Sequence, residues 1–284
     1  NMRHAKVLLP EPVPEKYQIF AEGMDILTQA PENPEDEFDA LIVVDCAANE
    51  RVAAGAGFDF PREDISILNI DHHPGNAVKA EWTCVLPEAA ATAEILVRMA
   101  KLIDWKFSPQ AATLLLLGII TDTGCFRFSN TRPETLRTAA ELLENDADQA
   151  MIIDAVYFSM PRSQQLFTAE MVQTHTVLDF DGQYACAVIP EELCSKYRFN
   201  MRDGETLIES LREIRGVKIA ALLYQTADKK VKISLRSKDP ETPVGPLARS
   251  LGGGGHEMAA GVTMGDCDLQ GAAAILRGEV SKLL

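Results

Sequence analysis

The sequence predicts an α/β protein with two domains, a parallel-sheet domain followed by a smaller α/β domain that contains a mixed sheet. Two apolar runs, at residues 41–44 and 65–70, are typical of buried parallel strands. Further along, residues 217–224 and 230–235 are apolar segments joined by a short turn, which predicts an antiparallel pair. At 284 residues, the chain is long enough to give each domain its own core.

The first domain, placed at residues 1–147, is predicted to alternate strands with helices. Its strands are predicted near residues 6–9, 40–44 and 65–70, and its helices near 90–102, 108–120 and 133–144. Pro133 suits the first turn of the last helix, where the missing N–H costs no hydrogen bond. Thr92 and Glu94 open the first helix, and we interpret Glu94 as a helix-start residue that favours the dipole.

A helical connector is predicted at residues 148–180, interrupted at Pro161, and the second domain at 181–284. The elements predicted for the second domain are strands at 184–189, 217–224 and 230–235, a strand beginning at Val262, and helices near 205–214, 246–251 and 269–284. The three-residue turn at 227–229 joins two of these strands. We therefore expect a mixed sheet there.

Composition limits the cellular setting. The six cysteines stand singly, without a C-x-x-C pair, so we expect reduced thiols rather than a disulfide framework. No apolar run approaches the roughly 18–20 residues of a membrane span, and no signal peptide is visible. These observations favour a cytoplasmic protein without a membrane partner.

Three apolar segments of the first domain each end in an acidic residue, and one continues into two histidines. In chain order these residues are Asp45, then Asp71 with His72 and His73, then Asp122. Side chains beyond the carboxyl ends of parallel strands point into the crevice where open sheets bind ligands. One such residue alone is usually a cap or a turn former. Three together, with imidazoles, indicate a centre for Mn²⁺, Mg²⁺, Zn²⁺ or Fe²⁺.

The net charge of -15 lies entirely in the part of the chain that carries these residues. Residues 1–180 hold 13 Lys and Arg against 28 Asp and Glu, whereas residues 181–284 hold 14 of each. Bound cations would offset part of this charge. Because affinity for long nucleic acid depends on neutralising many phosphates, the balance disfavours duplex DNA and favours nucleotides or very short oligomers.

A second group of candidate residues lies in the second domain. Four consecutive glycines at 252–255 precede His256, and such a run is justified where backbone N–H groups must approach an anion. A flexible linker is the alternative. Arg236 and Ser237 stand at a predicted strand end, where Arg suits a bidentate phosphate contact. Arg127, close after Asp122, is a further phosphate candidate.

Four motifs, in this order and spacing, resemble those of the DHH phosphoesterases. They are VVDC at 43–46, IDHHPGN at 70–76, TDTGCFRFSNT at 121–131 and GGGGHEMAAG at 252–261. The likeness covers essentially the whole chain. It is strongest to the two-domain bacterial oligoribonucleases that also dephosphorylate 3'-phosphoadenosine 5'-phosphate. The resemblance implies a DHH catalytic domain followed by a DHH-associated domain that binds the nucleotide.

The resemblance also implies roles for individual residues. Asp45 would bridge two Mn²⁺ ions, with His72 and Asp122 completing one site and Mg²⁺ as an alternative metal. His73 would contact phosphate or the attacking water, and Asp71 would orient the histidine pair. The residues expected to bind substrate are Arg127, Arg236, Ser237, Gly253, Gly254, Gly255 and His256.

One departure from the family pattern concerns its first motif. A His-x-x-Pro-Asp-x-Asp strand end, which supplies further metal ligands in the family, is absent from this sequence, and His4 has no Asp at the needed spacing. We expect that a strand–helix unit on the order of 40 residues is missing. The chain as given should then be impaired. The alternative is a natural variant with a dead or single-metal site.

The sequence thus predicts a metal-dependent phosphoric ester hydrolase acting on short oligoribonucleotides, 3'-phosphoadenosine 5'-phosphate, or both. Cyclic dinucleotides are the alternative substrates, and a noncatalytic nucleotide-binding protein is the alternative from another class. Pyrophosphate is disfavoured, since a nucleotide-holding loop would have little to grip. The expected partner is a short RNA or a nucleotide, and neither duplex DNA nor a membrane is expected. The sequence is also compatible with a homodimer.

Overall fold

The computed structural model describes residues 5–9, 11–31, 33, 37–57, 59–201 and 207–284. The chain forms two compact units, at residues 1–159 and 160–284. The division falls inside the predicted connector at 148–180, and the predicted domain limits stay a prediction. His4 and the start of the helix predicted at 205–214 lie outside the described residues.

The first unit contains a parallel three-stranded sheet with helices. Its strands are β1 (Val7–Leu8), β2 (Ile26–Leu27), β3 (Ala40–Val44), β4 (Ser66–Asp71) and β5 (Trp82–Val85). Its helices are a 3-10 helix (Glu15–Ala21), α1 (Asn49–Ala56), α2 (Thr92–Leu102), α3 (Pro109–Asp122), α4 (Pro133–Glu144), α5 (Gln149–Ile153) and a π-helical turn (Asp154–Phe158). The sheet order is β3-β4-β5, all parallel, and β1 pairs with β2 in a separate parallel pair.

The middle strand β4 is covered on both faces, which explains its nearly continuous apolar sequence. Ile70 packs with Ile95 of α2 on one face, and Ile67 packs with Val43 and Val78 on the other. Helix α3 is buried among its neighbours, and its residues Leu116, Ile119 and Ile120 are almost fully buried. This packing fixes the end of α3 relative to the rest of the unit.

The second unit contains a six-stranded mixed sheet, as predicted. Its helices are α6 (Arg162–Thr174), α7 (Glu191–Tyr197), α8 (Leu207–Arg212), α9 (Val244–Ser250) and α10 (Leu269–Val280). Its strands are β6 (Thr176–Asp179), β7 (Tyr184–Ile189), β8 (Ile219–Gln225), β9 (Val231–Ser237), β10 (Gly254–His256) and β11 (Ala259–Met264). The order is β10-β11-β9-β8-β7-β6, and only β7 with β8 is parallel.

Alternate residues of β8 enter two separate cores. Ile219, Ala221 and Leu223 pack in the cluster that includes α9 and α10, whereas Ala220 and Leu222 pack in the cluster that includes α6, α7 and α8. Both faces of the sheet are therefore covered by helices. This arrangement explains why β8 is apolar without alternation.

Several short elements were missed by the sequence prediction. Helix α1 begins after Ala48, which provides no side-chain cap, so the usual start signal is absent. Strand β5 is four residues long with Trp82 more than half exposed, and pairing with β4 rather than local propensity determines it. No helix in the described ranges has both the length and the apolar character to cross a membrane.

Candidate metal centre and substrate-binding residues

The register of β3 and β4 brings the first acidic residue to the end of the sheet. Val44 lies opposite Ile70, and the Asp45 N–H donates to the Ile70 carbonyl at 3.1 Å. Asp45 then adopts a left-handed conformation, with φ of 56°. Asp visits this region more readily than most residues because its short side chain can bond locally. The chain therefore turns sharply at the point where the Asp45 carboxylate is presented.

His72 is held so that one ring nitrogen faces two carboxylates. Its Nδ1 lies 3.2 Å from the Ala89 carbonyl, which can only accept, so the ring proton belongs on Nδ1. The Nε2 atom lies 3.5 Å from Asp45 Oδ1 and 3.7 Å from Asp122 Oδ2. Two carboxylates that face one side of an imidazole are stabilised by a cation placed between them.

Asp122 ends α3 and shows the electrostatic cost of this arrangement. Burial, and after it the neighbouring Asp45 charge, raise the pKa of Asp122 to about 6, while His72 and His73 act to lower it. The helix end also contributes its negative dipole, which disfavours a carboxylate. A bound cation would relieve both the burial and the repulsion, so this carboxyl group fits a metal ligand.

The distances between the ligand atoms are compatible with binding to one metal ion. Two ligand atoms that are each about 2.1 Å from one metal lie roughly 3.0–3.5 Å apart at octahedral or tetrahedral angles. The distances from His72 to Asp45 and Asp122 are at or just above this range. Ligand atoms of Asp45, Asp71, His72 and His73 also lie within 4.8 Å of one another. Oxygen with imidazole ligands suits Mn²⁺, Zn²⁺ or Fe²⁺.

Asp71 is fully buried and accepts hydrogen bonds at both oxygens. Its Oδ1 accepts from His73 Nδ1 at 2.6 Å and from the His72 N–H at 2.7 Å, and its Oδ2 accepts from Asn76 Nδ2 at 2.6 Å. Burial alone would raise the pKa of Asp71, but these hydrogen bonds outweigh it and hold the pKa below its usual value. An ionised Asp71 can only accept, so His73 carries a proton on Nδ1.

Asn76 is a residue of this network that the sequence reasoning did not single out. Its amide nitrogen donates to Asp71 and to the Cys46 carbonyl at 3.0 Å, and its oxygen accepts from Asn69 Nδ2 at 2.8 Å. It therefore joins the ends of β3 and β4. The motif IDHHPGN contained Asn76, and a polar residue after a Pro-Gly turn was the available signal.

The loop after Asp122 is strained. Gly124, Cys125 and Phe126 have φ of 55°, 60° and 63°, and consecutive left-handed residues are rare outside glycine. A Cβ at Gly124 would lie 2.3 Å from the Phe128 ring, so only glycine fits there. Arg127 follows, exposed, with Nε donating to the Gly124 carbonyl at 2.7 Å. Its candidate role toward phosphate stays a prediction.

The same loop holds polar atoms that no group in the described part of the chain satisfies. They are Asn130 Oδ1, Thr131 Oγ1 and Arg132 Nη2, all buried. The Asn130 amide nitrogen donates to the Asp122 carbonyl at 3.1 Å, which ties this segment to the centre. Buried polar atoms without partners are costly, so these three atoms add to the strain of the loop.

In the glycine run at 252–255, close packing, rather than the predicted anion nest, explains two of the glycines. Gly253 donates its N–H to the Ala248 carbonyl at 2.8 Å, so that group is occupied within the unit. A Cβ at Gly253 would lie 2.1 Å from the Gly261 carbonyl oxygen, and one at Gly255 would lie 2.6 Å from the Ala259 carbonyl oxygen. Close packing of β10 on β11 therefore requires glycine at 253 and 255.

Gly254 differs from its neighbours. A Cβ there would meet nothing within 4 Å, and its φ is not left-handed. Neither packing nor backbone conformation requires glycine at 254. Close approach by a ligand is therefore the remaining explanation for this glycine. His256 ends β10 opposite Ala259.

Arg236 and Ser237 end β9. Arg236 Nε lies 3.4 Å from Glu209 Oε1, so the guanidinium already faces a carboxylate. The Ser237 side chain is 1% exposed, and its hydroxyl bonds within a turn, to the Asp239 carbonyl at 3.0 Å and Thr242 Oγ1 at 3.2 Å. This burial argues against direct substrate contact by Ser237 and indicates a role in shaping the turn.

Comparisons with known proteins agree with these features. The DHH family N-terminal domain matches residues 4–119, and the DHHA1 domain matches residues 181–282. The chain is 33% identical over 232 residues to a Thermus thermophilus protein named bifunctional oligoribonuclease and PAP phosphatase NrnA, covering 82% of this chain and 67% of the relative. A Bacillus subtilis protein of the same name is 26% identical over 90% of this chain and 82% of its own length.

A solved structure has the same fold. An exopolyphosphatase-related protein from Bacteroides fragilis superimposes with a TM-score of 0.82 at 22% identity, covering 98% of this chain and 82% of that one. The two domains occur in the order that the motifs predicted. The chain belongs to the DHH family of phosphoesterases, hydrolases of phosphoester bonds, with a DHHA1 domain following its DHH domain.

Proposed function

We propose that this protein hydrolyses short oligoribonucleotides and 3'-phosphoadenosine 5'-phosphate, using Mn²⁺ held by Asp45, His72 and Asp122. The observation that carries the proposal is the convergence of two carboxylates on the Nε2 side of His72, within 3.7 Å. The substrate class is supported by the names of the Thermus and Bacillus relatives.

The roles of the residues follow from their hydrogen bonds. Bound metal would supply Lewis acidity and neutralise charge on the phosphoryl group. His73, held by Asp71 through Nδ1, carries its lone pair on Nε2 and can accept a proton there from the attacking water. His72 cannot do this while its Nε2 lone pair binds metal. The two adjacent histidines thus have separate tasks.

The loop at 127–132 suits the anionic part of the substrate. Arg127 is exposed, so its guanidinium can reach a phosphate oxygen. A few local contacts of this kind hold a small anion without a basic surface. This is the form of recognition that a chain of net charge -15 can provide.

The nucleotide part of the substrate is assigned to the second unit, as the resemblance implies. His256, Arg236 and Gly254 are the candidates there. Arg236 would exchange its contact with Glu209 for phosphate, which requires the substrate to compete with an existing ion pair. His256 and Gly254 are the other positions for testing nucleotide binding.

The test measures both binding and hydrolysis. The sequence lacks a His-x-x-Pro-Asp-x-Asp motif, and loss of those metal ligands would impair hydrolysis more than nucleotide binding. The protein with Mn²⁺ is offered a labelled RNA dinucleotide, 3'-phosphoadenosine 5'-phosphate, a cyclic dinucleotide and pyrophosphate. We expect binding of the first two, with cleavage at an impaired rate. Preferred cleavage of the cyclic dinucleotide would overturn the substrate assignment, and nucleotide binding without any turnover would support the noncatalytic alternative.

A His256→Ala variant separates binding from metal content. Losing one charged hydrogen bond to phosphate costs roughly 1.5–3 kcal/mol, or about 10- to 150-fold in nucleotide affinity. Mn²⁺ content should stay unchanged. If His256→Ala removes the metal, His256 is a metal ligand and its assignment to the nucleotide is wrong.

A further inference from the structure

The turn that leads into α2 contacts His72 through Ala89 and Asp45 through Thr92, and it reaches Asp122 through Asn130. We propose, on the basis of the function proposed above, that residues 89–92 position the metal ligands and that Thr92 and Glu94 are the positioning residues that hold this turn. Neither side chain needs to touch the metal or the substrate. Both are buried, at 5% and 0% exposure, although both begin a helix and would be solvated if they served only as its start.

Thr92 acts directly on Asp45. Its hydroxyl donates to Asp45 Oδ1 at 2.8 Å. The Asp45 side chain is about half exposed, so a hydrogen bond from a buried group restricts its rotation. A donor fixed on the first turn of a helix therefore sets the direction of the carboxylate. Hydrogen bonds to metal-binding carboxylates of this kind orient them and tune their affinity.

Ala89 acts on His72 through its backbone. The carbonyl accepts from His72 Nδ1 at 3.2 Å, which keeps the proton on that nitrogen and directs Nε2 toward the carboxylates. Because the contact is made by a carbonyl, its position depends on the conformation of the turn. A side-chain substitution at Ala89 would not remove it.

Ala90 connects the turn to the third ligand residue. Its carbonyl accepts from Asn130 Nδ2 at 3.1 Å, and the same amide donates to the Asp122 carbonyl at 3.1 Å. The end of α3 and the turn are thereby held by one side chain. Movement of the turn would shift Asp122 together with His72 and Asp45.

Glu94 fixes the turn to the helices behind it. Its Oε2 accepts from the Ala90 N–H and from Thr135 Oγ1, both at 3.1 Å, and its Oε1 pairs with Arg98. Thr135 belongs to α4, so Glu94 links two helices and the turn. Burying a carboxylate is costly unless it is fully paired, and here each oxygen has a donor. This arrangement suits a residue whose task is to hold the turn rigid.

The test compares three variants at buried threonines. Thr92→Val removes the hydroxyl with little change in volume, Thr92→Ser restores it, and Thr113→Val is the matched control. Thr113 is also buried and donates to the Pro109 carbonyl at 2.8 Å, within α3. Mn²⁺ affinity is measured by electron paramagnetic resonance of the free ion, and folding by thermal unfolding of the metal-free proteins.

We expect Thr92→Val to weaken Mn²⁺ binding about 10- to 100-fold, the range for partners of metal ligands, with Thr92→Ser near wild type. Thr113→Val should lower the unfolding temperature without changing Mn²⁺ affinity. Glu94→Gln, which keeps one acceptor, should weaken binding about 2- to 10-fold. It also provides the test if Thr92→Val does not fold.

Two results would overturn the positioning role. One is Mn²⁺ affinity at the wild-type level in folded Thr92→Val and Glu94→Gln. The other is an equal loss in Thr92→Val and Thr113→Val, which would indicate general destabilisation. Failure of the proposed metal centre looks different, since the wild-type protein would then bind no Mn²⁺, and a wrong substrate assignment would leave these Mn²⁺ affinities unchanged.

Discussion

The strand-end cluster of Asp45, His72 and Asp122 in the first unit and the glycine loop at 252–255 in the second unit were both predicted as ligand sites. In the cluster, carboxylates gather around an imidazole and the pKa of Asp122 is raised to about 6 by burial and by Asp45. In the loop, neighbouring backbone explains glycine at 253 and 255. A bound cation would relieve the repulsion among the acidic groups, whereas close packing explains two of the four glycines.

The comparison shows which sequence signals point reliably to a ligand. Glycine permits the close approach of either a ligand or a neighbouring strand, and the sequence does not distinguish the two cases. Carboxylates and histidines after buried strands satisfy no packing demand. Their convergence is unfavourable in the absence of a cation, so it is the stronger evidence of function.

The largest effect is expected at Asp45. Asp45→Asn should weaken Mn²⁺ binding by more than about 100-fold, the upper end of the range for partners of metal ligands, because a ligand itself is lost. Asp104→Asn is the matched control, since Asp104 is exposed, lies outside the cluster and has φ of 51°. Metal content after dialysis is the measurement. Equal Mn²⁺ content in both variants would contradict the metal centre.

Gly253→Ala and Gly254→Ala test separately whether packing or a ligand explains each glycine. A Cβ at 253 would collide with the Gly261 carbonyl, so we expect a loss of about 1–3 kcal/mol in the free energy of unfolding. At 254 there is room, and stability should hardly change. Gly254→Ala should instead weaken nucleotide binding, measured by calorimetry. Unchanged nucleotide affinity would mean that no ligand approaches Gly254.

A smaller, pH-dependent effect is expected at Asp122 in the metal-free protein. Its pKa of about 6 exceeds the ordinary 3.8, so the stability that this group contributes is present below pH 3.8 and is lost as the pH rises through 6. Asp122→Asn should therefore be more stable than wild type at pH 7, on the order of 1–2 kcal/mol after allowance for its partial exposure. The difference should close near pH 4.

Urea unfolding of the two proteins at pH 4, 5, 6 and 7 measures this gap. Asp71 should not disturb the comparison, because its pKa is lowered and its contribution is lost only as the pH falls below 3.8. Asp104→Asn again serves as the control and should follow wild type at every pH. A constant gap between wild type and Asp122→Asn would show that the Asp122 carboxyl does not titrate in this window.

Much of the fold followed from hydrophobic pattern. Strands β3, β4, β7, β8 and β9 and helices α2, α3 and α4 lie close to their predicted ranges, because buried strands and long apolar helices carry strong periodic or continuous signals. Helix α1 and strand β5 were missed. One begins without a side-chain cap, and the other is a short strand with an exposed Trp82 that exists through its pairing with β4.

The sequence by itself determined the identities of the ligands and their places after apolar segments, since strand and helix ends are local properties. It could not determine that Thr92 donates to Asp45 or that Glu94 is buried against Thr135, because both contacts join residues more than 40 positions apart. It also could not separate the two uses of glycine at 253 and 254. Those differences depend on which atoms of β11 approach each Cα, and only the tertiary structure decides that.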